Sequence, residues 1–204
     1  MYQLYMAPTG NGRRAAVMLE ECGLPYTLHK IDLAKGDQKK PEFLALNPQG
    51  TIPVLVEESG GKKTALAQSG AILLHLAEKT GKFLPKDPAA RAEALQWFMA
   101  AQSDAAPASS AIFYSSSALP DKSPANTQFY ESRFLNLMKV FDQRLGQKAY
   151  LAGAEPTIAD LALIPVVAGR QELIDKTAGL DNLKKWASKM KARPGIAKAL
   201  QSGA

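Results

Sequence analysis

The sequence predicts an α/β half followed by an all-α half, and three observations carry that reading. A strand-like run, a Gly-rich turn, an apolar helical face and a second strand-like run follow one another within the first 31 residues. Two further short apolar runs then flank the Gly60-Gly61 pair, which suits a hairpin because glycine adopts positive φ without a Cβ penalty. Beyond residue 88 no strand alternation occurs, and apolar residues recur at helical spacing.

Taken in order, residues 2–6 (YQLYM) read as a strand, and APTGNG as the turn into a helix whose apolar face is Ala15, Ala16, Leu19 and Cys22, with Gly23 as its stop. Residues 26–31 (YTLHKI) form the second strand. With a helix between them, the two strands pair in parallel through a right-handed crossover. Residues 32–50 are mainly connection, with a short helix near Pro41–Ala45. Strands at 53–56 and 64–66 make an antiparallel pair, and Gln68-Ser69 opens a helix with Ile72, Leu73 and Leu76 on one face, ending near Gly81. The expected organisation is a βαβ-ββα domain over residues 1–80, a linker over 81–87 and a helical domain over 88–204. Within the last, Ala89–Gln102 favours helix, and Tyr130, Phe134, Leu137, Met138, Phe141 and Leu145 share a helical face. Residues 158–168 are apolar nearly all round, which marks a central helix. Thr157 and Asp160 at its start resemble a capping box, and Pro165 lies inside it.

Composition narrows the chemistry. Basic residues number 25 against 19 acidic ones, a formal +6 spread along the chain, which favours small anions over nucleic acid. A single cysteine, Cys22, excludes an internal disulfide and a CxxC pair. The N-terminus does not read as a secretory signal, and no run reaches the ~18 apolar residues of a membrane span, so a cytoplasmic protein is expected. Cys22 reads as core, and His29 and His75 as structural. Trp97, Phe98, Phe113 and Tyr114 read as core or interface, with any exposed ones available to an apolar co-substrate.

Four local signals carry chemistry. Thr9 and Asn11 stand before the first helix, where open N–H groups and the positive dipole end favour an anion such as a thiolate. A free thiol has a pKa near ~8.5, and a depression of ~2 units, worth ~2.7 kcal/mol, ionises most of it at neutral pH. The competing reading is a plain helix cap. Ile52-Pro53 opens a strand where proline cannot donate; a cis bond would turn the Ile52 N–H and C=O toward a bound peptide, whereas a trans proline would merely start the strand. Ser69 after Gln68 caps a helix or faces a carboxylate. Lys39 and Lys40 neutralise a second carboxylate or lie as solvated surface.

Together APTGNG, NPQGTIPVLV, AQSGAILLHLAEKTG and TIADLAL resemble the glutathione transferase superfamily across essentially the whole chain. The resemblance implies a thioredoxin-like first domain, a helical second domain, a cytosolic homodimer and glutathione as co-substrate. It places Thr9 and Asn11 at the glutathione sulfur, Ile52 and cis-Pro53 at its cysteinyl backbone, Gln68 and Ser69 at the γ-glutamyl carboxylate, and Lys39 or Lys40 at the glycyl carboxylate. The APTxNG start resembles the bacterial nu class, which favours disulfide reduction. Gly10 stands where bacterial beta-class members usually have cysteine, so no mixed disulfide with the protein is expected there. Gln68 replaces a frequent glutamate, and Asp104 matches a position that in some bacterial classes reaches the partner subunit's glutathione and supplies that charge. A glutathione-dependent isomerase or dehalogenase, or a non-catalytic stress protein on the same scaffold, are the alternatives.

Overall fold

The computed structural model describes residues 1–203. The chain divides into two compact units, Met1–Lys82 together with the segment from Ala192 on, and Phe83–Lys191. The first unit holds strands β1 (Tyr2–Met6), β2 (Tyr26–Lys30), β3 (Val54–Ser59) and β4 (Lys62–Ala67) in the spatial order β2-β1-β3-β4. β1 and β2 run parallel, and β3 pairs antiparallel with both β1 and β4. The β3–β4 loop is the Gly60-Gly61 pair, with φ of 56° and 76°, the two positive values that a tight hairpin turn requires.

Side chains alternate across this sheet with the period of two that a strand imposes. Leu4, Met6 and Leu55 are fully buried, in the core shared with α1 (Gly10–Cys22) and α3 (Ser69–Thr80). Tyr5, Val54 and Val56 belong to a second cluster with Phe43 of the short α2 (Pro41–Leu44). Helix α1 ends as its sequence dictates: Gly23 takes φ 70° and its N–H bonds to Glu20 O at 3.0 Å, while Leu24 N reaches Leu19 O at 3.0 Å. The helix buries more than the expected single face, because Val17 and Met18 are also fully enclosed. The reason is α10 (Pro194–Gln201), which packs on α1. Arg193 Nε donates to Glu21 Oε2 at 2.8 Å and Lys198 Nζ to Glu20 Oε2 at 3.0 Å. The sequence places the second domain over 88–204, whereas this terminal helix groups with the first unit; its apolar positions Ile196 and Ala199 are fully buried there.

Helix α3 is fastened to the sheet through Glu57 of β3, which accepts from Lys79 and lies 3.2 Å from His75 Nε2. The bond from Lys79, and then that from His75, hold the Glu57 carboxyl below the ordinary carboxylate range. A depressed carboxyl pKa adds stability above the unfolded value, and that stability is lost as pH falls through the folded value. Glu57→Gln is therefore expected to cost up to about 1 kcal/mol at neutral pH and progressively less as pH falls through the folded-state value, read from urea unfolding at neutral and at acid pH.

The second unit contains α4 (Pro88–Met99), α5 (Ala106–Phe113), α6 (Pro124–Gln147), α7 (Ile158–Gly169), α8 (Gln171–Asp175) and α9 (Asp181–Lys191). Wider π-type turns at Ala100–Ala105 and Tyr114–Ala118 flank α5. The first of these ends two residues before Pro107, which has no N–H to give, so the ladder loosens where a donor is missing. Helix α7 is the buried centre, enclosed from Ile158 to Val167, and Phe98, Phe134, Met138, Phe141 and Trp186 complete the core. The Thr157–Asp160 capping box is formed. Among the described residues no helix is long and apolar enough to cross a membrane.

Candidate functional site

Strand register gathers most of the candidate residues at one end of the first unit's sheet. Tyr5 of β1 pairs with Val54 at the start of β3, and Val54 pairs with Ala67 at the end of β4. The chain therefore leaves β1 toward Thr9 and Asn11, enters β3 from Ile52-Pro53, and leaves β4 into Gln68-Ser69, all at the same edge.

Thr9 is the N-cap of α1, and its Oγ1 accepts from Gly12 N at 3.2 Å. Capping does not exhaust the side chain, because a hydroxyl that accepts still has its own proton to donate. The α-helical pattern leaves the Gly10 and Asn11 N–H groups without an intrahelical acceptor, and Asn11 is exposed beside them. This is an electropositive end suited to an anion. Gly12 is fixed by sterics: a Cβ there would stand 2.2 Å from the Ala7 carbonyl oxygen and 3.1 Å from Met6 Cβ. Gly12→Ala is expected to lower stability by about 2 kcal/mol or more, since only backbone movement relieves the contact; an unchanged thermal midpoint would contradict this.

The Ile52–Pro53 bond is cis. Ahead of it, buried Asn47 organises the NPQG loop, donating to Thr51 O at 2.7 Å and accepting from Gln49 N at 3.1 Å. Among the described residues the N–H and C=O of Ile52 have no hydrogen-bond partner, which leaves a short backbone edge for an added extended chain. Gln68 has φ 72° and ψ 115°, a conformation that costs a non-glycine residue about 1–3 kcal/mol. Its side chain donates to Gln49 Oε1 at 3.0 Å, so the β4–α3 junction is tied to the NPQG loop. Gln68, and not Ser69, is the N-cap of α3; Ser69 is the first helical residue and is buried, its Oγ accepting from Arg14 at 3.4 Å.

The two lysines part company. Lys40 is paired with Asp37 at 2.7 Å, which raises its pKa, and it lines a cleft of about 600 Å³ with Tyr5, His29 and Phe43 on the α2 side of the sheet. Lys39 instead lies against Gly50, whose φ is 61° and where a Cβ would meet Lys39 Nζ at 2.8 Å, so Lys39 is the one that joins the NPQG loop. Asp104 is exposed in the π-type turn of the second unit.

Residues read as structural behave so. Cys22 is buried with Sγ 3.6 Å from Thr80 Oγ1, and burial pushes its thiol pKa up. His29 stacks on Tyr5 at 4.3 Å and contacts Gln3 Oε1 at 3.0 Å. Phe98 is core and Trp97 packs against Phe141, whereas Phe113 and Tyr114 are about half exposed. Sequence reasoning missed Arg14 and Asn47. Their signals are faint, an extra basic residue on an apolar helix and an Asn-Pro turn, and each acquires meaning only from partners elsewhere in the chain.

Residues 11–79 match the model of the glutathione S-transferase N-terminal domain, and residues 104–203 that of the C-terminal domain. The chain is 38% identical to the disulfide-bond oxidoreductase YfcG of Escherichia coli, over 98% of this chain and 94% of that protein. A glutathione transferase family member from Pseudomonas fluorescens, solved with two glutathione bound, superposes with a TM-score of 0.88 at 32% identity, covering 98% of this chain and 92% of the other. A glutathione transferase from Pseudomonas putida, solved with one glutathione disulfide bound per subunit, gives 0.88 at 31% identity, covering 100% and 92%.

Proposed function

Because the chain belongs to the glutathione transferase family, we propose that it binds glutathione at this edge of the first unit, holds its sulfur as a thiolate, and delivers that sulfur to an electrophile or a disulfide. The observation that carries the reading is the convergence of an open helix N-terminus bearing Thr9 and Asn11, the unpaired backbone of Ile52 and the strained Gln68-Ser69 junction. These groups suit the three parts of one tripeptide. Hydroxyl, amide and helix-end N–H donors favour the sulfur anion without a general base. The Ile52 backbone extends the sheet by the cysteinyl residue, Ser69 and the α3 N-terminus face the γ-glutamyl carboxylate, and Lys39 approaches the glycyl carboxylate. Gln68 contributes no negative charge to the ligand's ammonium; in a homodimer Asp104 supplies it to the partner subunit's glutathione. Pro53 fixes the chain direction behind Ile52. The setting we propose is cytoplasmic.

Disulfide reduction is favoured by the relative named as a disulfide-bond oxidoreductase and by neighbours holding two glutathione or glutathione disulfide. The bound thiolate attacks one sulfur of the substrate disulfide, forms a mixed disulfide and expels the other half as a thiolate, which takes up a proton. A second glutathione thiolate then resolves the mixed disulfide, so two thiols are oxidised for each disulfide reduced. Ultraviolet thiolate absorbance of the complex at neutral pH is expected to exceed that of free glutathione at the same concentration. A signal equal to the free tripeptide would remove the mechanism.

A further inference from the structure

Arg14 lies one turn into α1 below Asn11, with only 2% of its surface exposed. A guanidinium has donors and no acceptor. The Asn11 atom 2.5 Å from its NH1 is therefore the amide oxygen, Oδ1, and the two N–H bonds of that amide point away. The same logic applies to Ser69, whose Oγ stands 3.4 Å from the same NH1: the oxygen accepts, and its own proton is aimed elsewhere. Asn11 and Ser69 are 58 residues apart in the chain (69 − 11) and share one buried donor.

We infer that Arg14 is a positioning residue which, by occupying the acceptor atoms of both Asn11 and Ser69, makes each present a donor to an anion, the sulfur at Asn11 and a carboxylate at Ser69. The inference rests on the glutathione reading above and goes beyond it by assigning the polarity of the cradle to a residue that need not touch the ligand. Without a group that only donates, the Asn11 amide rotates freely between its two ends, and the oxygen end repels a thiolate. Burial lowers the Arg14 pKa to about 10, so the guanidinium keeps its charge across the range in which a bound thiol ionises.

The test is a pH titration of the ultraviolet thiolate absorbance of bound glutathione in the wild type, Arg14→Met, Arg14→Lys, Asn11→Ala and the two double variants. Arg14→Met is expected to raise the bound thiol pKa by about one unit, and Arg14→Lys, which keeps the charge and loses the planar fork, by less. In the Asn11→Ala background the effect of either Arg14 substitution falls by at least about half, because no amide remains to orient; a direct charge effect would persist undiminished. Binding of S-methylglutathione, which has no thiol to ionise, weakens in Arg14→Met through Ser69. Should Arg14→Met fail to fold, the Arg14→Lys shift and its reduction in the Asn11→Ala background decide the matter. An unaltered thiol pKa in the folded Arg14 variants, or an equal shift with and without Asn11, overturns the inference. If the wild type binds no glutathione, the site reading falls as well, so the two failures are distinguishable.

Discussion

Asp160→Ala is expected to lower the unfolding free energy of the helical unit by about 3–5 kcal/mol. The carboxylate is fully buried and accepts from Leu151 N at 3.1 Å, Thr157 N at 2.9 Å, Thr157 Oγ1 at 3.2 Å and Trp186 Nε1 at 3.0 Å. It thereby joins the turn before α7, the α7 cap and α9. Burial pushes its pKa up, and these donors pull it back. Alanine would leave every donor buried without an acceptor, which costs more than the bonds themselves contribute. Asp160→Asn, equal in size, turns an NH2 toward one of those donors and is expected to recover only part of the loss. Chemical denaturation followed by Trp186 fluorescence measures both, and a loss below about 1 kcal/mol for alanine would show that Asp160 is no hub.

Thr9→Ala is expected to lower kcat/KM about ten- to a hundredfold in both aryl conjugation and disulfide reduction, the range for removing a hydrogen bond to a charged group. The loss of the α1 cap adds about 1 kcal/mol of instability, which thermal unfolding reads separately. Thr9→Ser keeps the hydroxyl and should retain most of the activity. Its comparison with alanine separates the donated proton from the lost methyl. Turnover that survives Thr9→Ala intact would exclude Thr9 from contact with the sulfur.

The site was partly legible because some of its parts are local signals. A threonine before an apolar helical run declares a cap, and that cap formed. The sequence predicts Ser69 as the cap of α3, but the structure gives that place to Gln68, because the chain turns out of β4 at positive φ and makes Ser69 the first helical residue. The adjacent lysines looked equivalent; only the fold separates them, pairing Lys40 with Asp37 and laying Lys39 along Gly50. Arg14 gave no readable signal, since a buried cation is recognised by what surrounds it, and Ser69 is 55 residues away.

What the chain order by itself determined is the succession βαβ-ββα and helices, the Gly23 and Gly60-Gly61 reversals, the buried α7 and its Thr157–Asp160 start. These depend on hydrophobic period and backbone freedom, which act over a few residues and are written in neighbouring letters. Tertiary structure alone decided that α10 returns to α1, that Asp160 reaches Leu151 and Trp186, and that Arg14 spans Asn11 and Ser69. Such contacts satisfy buried charges and donors across long separations, and their partners are chosen by packing, which no local pattern encodes.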